Sequence, residues 1–177
     1  MLRTYKSELI RFRKTAFVGA GIMAAFTALV TTLTFVGFEE SAGPGPGGGR
    51  GLPGPTDLAA VDGLISGLAS AATMIGIVAL ALFATSVARD YERGTIRQLL
   101  VGEPRRALLL GGKVLALLTM VVAGVAVSAA VGMGAAFALA PVAGIRTAAW
   151  TTTSAVSGAI GTTVNVMIAT VVWGFAG

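Results

Sequence analysis

The chain alternates between long apolar runs and short polar stretches. Residues 15–36, 63–88, 114–140 and 155–177 contain no Asp, Glu, Lys or Arg. A helix crossing the hydrocarbon of a bilayer needs about 20 mostly apolar residues. Each run meets that length, so the pattern predicts four transmembrane helices in an all-α, polytopic membrane bundle. Residues 15–36 follow Arg11, Arg13 and Lys14, as the apolar core of a signal peptide would. The run exceeds the ~7–15 residues of such a core, and no A-x-A-like site closes it, so a retained span is expected.

Composition agrees with the pattern. The chain is 55% hydrophobic, with 25 glycines and no cysteine or histidine among its 177 residues. Small residues let helices approach closely in lipid. The missing Cys and His remove thiolate and imidazole nucleophiles, zinc sites built on them, and disulfides. A net charge of +5 could point to nucleic acid, but the placement of the charge points to membrane topology instead.

Eleven of the thirteen basic residues fall on one side of the expected bundle. Arg3, Lys6, Arg11, Arg13 and Lys14 precede the first span. Arg89, Arg93, Arg97, Arg105, Arg106 and Lys113 lie between the second and third. Only Arg50 and Arg146 fall in the other two loops, residues 37–62 and 141–154. The positive-inside rule places the rich side, and the N-terminus, in the cytoplasm. Arg11, Arg13, Lys14 and Lys113 are then the membrane-interface residues. The Gly/Pro stretch 41–55 reads as a flexible outer spacer.

Residues 1–14 place Leu2, Tyr5, Leu9 and Phe12 at helical spacing beside basic residues. This is either an amphipathic helix in the headgroup plane or an extension of the first span. Residues 89–113 form the expected cytoplasmic loop. Eight of its first eighteen residues are charged. Gly94 allows a bend, Thr95 can cap a helix starting at Ile96, and Gly102 and Pro104 stop it. Ile96, Leu99 and Leu100 share a face of that helix. A compact helix between two spans is suited to docking a partner and passing on its motion.

Other chemistry is sparse. Gly112-Lys113 lacks the following Ser or Thr of a nucleotide-binding P-loop and its upstream Gly, so no cofactor is expected on this chain. No charge lies deep in a span, which argues against an ion-coupled transporter. Asn165 is expected to bond a neighbouring helix, and Trp150 and Trp173 to sit in interfacial belts. The Gly63-x-x-x-Gly67 spacing is a common chance match in so Gly/Ala-rich a chain. No charged residue follows Arg146, so the fourth span lacks a basic end, and a chain continuing beyond Gly177 is expected.

Glu92-Arg93-Gly94-Thr95-Ile96-x-x-Leu99-Leu100, then Pro104-x-Arg106 and Gly112-Lys113, resembles the loop between the second and third spans of ABC-2 type permeases. These are membrane subunits of ABC transporters, mostly exporters. The resemblance implies an elbow helix over residues 1–14 and six spans in a full-length protein. It implies a coupling helix in which Glu92, Arg93, Gly94, Thr95, Ile96, Leu99, Leu100, Pro104 and Arg106 dock a separate P-loop ATPase. That partner would carry the ATP and Mg²⁺, and a second permease subunit, identical or sister, would complete the transporter. A small, apolar lining suits a hydrophobic or amphipathic cargo. Gly, Ala and Arg usage suggests a bacterial source, hence the bacterial cytoplasmic membrane. The alternative function is a multi-span anchor or interaction protein that transports nothing.

Overall fold

A computed structural model describes residues 2–36, 55–92 and 106–176. Among the described residues, five α-helices and two 3-10 turns follow one another: α1 (Leu2–Val36), α2 (Pro55–Leu58), the turn Val61–Ile65, α3 (Ser66–Glu92), α4 (Arg106–Leu139), the turn Ala148–Thr151, and α5 (Thr153–Ala176). There is no strand among the described residues. The segments Ala16–Val36, Val61–Ser86, Gly111–Leu139 and Thr153–Ala176 are each long and apolar enough to cross a membrane. Helices dominate because lipid offers backbone groups no hydrogen-bond partner, and a helix satisfies its own. Residues 2–14 lie in the same helix as the first span, α1 running from Leu2 to Val36.

Glycine contacts give the helix directions. A Cβ at Gly124 would stand 3.7 Å from Ala20 Cα, and one at Gly132 2.9 Å from Thr27 Cγ2. Both numbers rise together, so α1 and α4 are parallel. A Cβ at Gly76 would meet Trp173 and one at Gly174 would meet Phe83, which makes α3 and α5 the second parallel pair. Gly67 lies against Thr31 and Gly19 against Leu82, so the two pairs run in opposite directions. The Gly63-x-x-x-Gly67 spacing therefore marks real close approaches. A Cβ at Gly67 would collide with the Thr31 side chain, and one at Gly63 with the Leu58 carbonyl.

Met23, Leu68, Ile75, Val121 and Val125 fill the middle of the bundle. Polar groups inside it bond within their own helices. Thr27 Oγ1 donates to the Met23 carbonyl at 2.9 Å, Thr31 Oγ1 to Thr27 at 2.8 Å, and Ser128 Oγ to Gly124 at 2.9 Å. Such i−4 bonds let hydroxyls lie in an apolar core without an orphaned proton.

A second core closes the end remote from the basic residues. It gathers Phe35, Leu58, Leu64, Ala136, Ala140, Ile145 and Trp150. After α4, Gly144 adopts φ 67°; its N–H reaches the Pro141 carbonyl and that of Ile145 reaches Ala140. This is a Schellman closure, and it needs the left-handed conformation glycine tolerates. Thr152 then caps α5, accepting the Ala155 N–H at 3.3 Å.

Trp150, expected in an interfacial belt, is buried within the protein. It is 1% exposed, and its indole N–H donates to the Leu58 and Ala60 carbonyls, both at 3.1 Å. Phe35 and Phe137 meet its ring edge-on at 6.0 and 5.3 Å. The aromatic area is buried, and the two backbone acceptors satisfy the indole N–H that is buried with it. Trp173 keeps the expected partial exposure. Asn165, expected to bond a neighbouring helix, is exposed on the outward face of α5.

Replacing Trp150 by Ala should destabilise the bundle by about 3 kcal/mol, the scale of emptying a buried aromatic site. Trp150→Phe should lose less, because ring area survives and only the donor goes. Thermal unfolding in detergent micelles checks the order.

Candidate functional site: the basic end of the bundle

α3 descends to Glu92 and α4 returns from Arg106, so the charged loop is carried by two antiparallel helix ends. Glu92 is the last residue of α3 and Arg106 the first of α4. Arg93, Gly94, Thr95, Ile96, Leu99, Leu100 and Pro104 lie outside the described residues. What the structure describes is the frame on which that loop is mounted.

Among the described residues, a polar contact joins the two helices of this frame. Lys113 Nζ donates to the Ser86 backbone carbonyl at 2.8 Å. Lys113 is half-buried, and Ser86 is 3% exposed. The lysine stem crosses apolar surface while its ammonium finds a carbonyl already engaged in a helix, whose second lone pair is free to accept. A charge-assisted bond of this kind joins helices whose direct packing on each other is otherwise slight. Ser86 Oγ is buried beside it without a hydrogen-bond partner. The sequence placed Lys113 at the headgroups; the structure adds its bond to α3. No motif marks Ser86, a single serine in an apolar run.

The α3–α5 contact stiffens the same end. Gly174 leaves room for the Phe83 ring, and Phe83 and Phe175 meet in a tilted arrangement at 5.8 Å between centroids. Arg11, Arg13 and Lys14 lie on α1, which reaches this end beside α4. Lys14 is exposed. The basic residues of α1 and α4 thus converge, as the charge pattern required.

Above Lys14 an apolar trough runs between α1 and α4, lined by residues such as Phe17, Gly21, Met120 and Val127. Sequence reading passed over it. Its only signal is the recurrence of small residues at Ala16, Ala20 and Ala24, facing Ala123 and Gly124. Among the described residues, no three acidic, His or Cys side chains gather as a metal site would require. The chemistry available here is mechanical and electrostatic: two coupled helix ends, a cationic rim and an apolar groove.

A family model described as "ABC-2 family transporter protein" matches residues 13–173. No curated protein matches the chain, and no solved structure does. The match takes in nearly all of the four long apolar helices, the charged residues between α3 and α4, and Arg13 and Lys14 of α1. The chain belongs to the ABC-2 family of transporters, as a multi-pass membrane permease of the ABC class.

Proposed function

We propose that this chain is the permease subunit of an exporter and that a separate P-loop ATPase docks on residues 89–106. The observation that carries this reading is the junction of Lys113 with Ser86. It ties together the two helices that bracket the loop, so a displacement of the loop moves both spans. ATP binding and hydrolysis take place on the partner, which holds the ATP and Mg²⁺. Glu92, Arg93 and Arg106 supply charge for docking, and Ile96, Leu99 and Leu100 an apolar face. A partner cleft lined with complementary groups would recognise both at once.

The cargo is hydrophobic or amphipathic. In support, the outward surfaces of the long helices are apolar, with Val18, Ile22, Leu29 and Leu33 on α1 and Ile160, Val164 and Ile168 on α5 exposed. A second permease subunit completes the path. The charge distribution supports a cytoplasmic N-terminus in a bacterial cytoplasmic membrane.

Two experiments test the reading. In vesicles containing the chain and its ATPase, Glu92→Arg or Leu99→Asp should reduce stimulated ATP hydrolysis to the partner's basal rate while membrane insertion is unchanged. Full stimulation in both variants would rule out docking on this loop. For orientation, the absence of cysteine allows single-site labelling. Thr151→Cys, at an exposed position in the turn after α4, should react with an impermeant maleimide in intact cells, whereas Lys6→Cys should react only after lysis. The reverse result would invert the topology.

A further inference from the structure

We infer that the trough between α1 and α4 is a binding site for one anionic phospholipid of the leaflet at the basic end. The site is independent of which ATPase drives transport. The trough has a volume of about 610 Å³, and its walls include Ala16, Phe17, Gly21, Met120, Gly124 and Val127. Its one hydroxyl, Thr119 Oγ1, already donates to the Leu115 carbonyl at 2.8 Å. The other walls are apolar, so a hydrocarbon chain suits the interior.

The trough exists because the two helices touch only on one side of it. α1 and α4 close together around Met23, Thr27, Gly124 and Gly132. Toward the basic end and the outer surface, Ala16, Ala20, Gly21 and Ala24 present almost no side chain. A Cβ added at Gly21 would meet no atom within 4 Å. Phe17, 68% exposed, stands as one wall.

The charge at its mouth selects the ligand. Lys14, Phe17, Gly21 and Ala24 are spaced i, i+3, i+7 and i+10, which places them on one face of α1. Lys14 is exposed one turn below the trough. A lysine there can hold its ammonium at headgroup level while its stem follows the helix. A phosphate ester at that level, with an acyl chain rising into the trough, meets a cation and an apolar cleft in the order a phospholipid presents them. A second copy of this chain fits poorly. An isologous contact through the trough would set one Lys14 against the other.

A tryptophan introduced into the trough reads its occupant directly. The Phe17→Trp/Trp173→Phe protein would be placed in phosphatidylcholine–phosphatidylglycerol vesicles in which one lipid or the other carries brominated chains. Buried Trp150 serves as an internal control for the fold, since its emission should stay blue and unquenched. Brominated phosphatidylglycerol should quench the introduced indole with an apparent affinity about fivefold above phosphatidylcholine, the scale of one basic side chain against an anionic lipid. Lys14→Gln should bring the two lipids to parity. Gly21→Phe, which fills the trough, should weaken quenching by both. Equal quenching by the two lipids with Lys14 present would overturn the site. So would a preference that survives Lys14→Gln, or quenching by neither lipid together with a Gly21→Cys disulfide between copies. Each of these results stands apart from the ATPase measurement, which can succeed or fail without altering it.

Discussion

Hydrocarbon cannot hydrogen-bond, and the whole bundle is organised by that lack. A polar group within the slab is costly to leave without a partner inside the protein. The backbone meets the demand by remaining helical across each span. The buried threonines of α1 meet it by donating to carbonyls one turn back. At the closed end, between α2 and α3, the indole N–H of Trp150 donates to the carbonyls of Leu58 and Ala60. At the basic end, the Lys113 ammonium finds the Ser86 carbonyl. The same requirement thus fastens both ends of the molecule.

With no hydrophobic force to drive helices together in lipid, contact depends on fit. The glycines of this chain are placed where backbones or large side chains approach. Gly67 accepts Thr31, Gly124 accepts Met23, and Gly76 and Gly174 accept the aromatic rings of Trp173 and Phe83. Dense contact between α1 and α4 in the middle and at the closed end gives way to a trough toward the basic end. The same small residues that permit close packing leave a vacancy once the helices no longer touch. In this fold, packing and a binding groove are two results of one composition.

The two ends serve different purposes. The closed end is an apolar plug around a tryptophan, sealed by the Gly144 turn and the Thr152 cap. At the basic end the described residues include the charge-assisted Lys113–Ser86 bond, a tilted aromatic pair and exposed Lys14. A packed plug at one face and a charged face at the other suit a machine pushed from one side. The family assignment and the physical asymmetry point in the same direction.

Much of this was legible in the residue order. Apolar runs of uniform length without charge determine four long helices, because only a helix places that many residues in lipid with its backbone satisfied. The clustering of Lys and Arg determines which helix ends share a side. The loop motif after the second span determines the family, and residues 13–173 match it. What the sequence could not settle is which small residues are contacts and which are gaps. Gly67 and Gly21 are alike on paper, yet one meets Thr31 and the other open space. Trp150 and Trp173 both resemble belt residues, yet one is a buried plug. Asn165 offered a helix contact and instead faces outward. The reason is that periodicity specifies a side chain's direction on its own helix, while burial depends on which other helix lies opposite. Only the tertiary arrangement decides that.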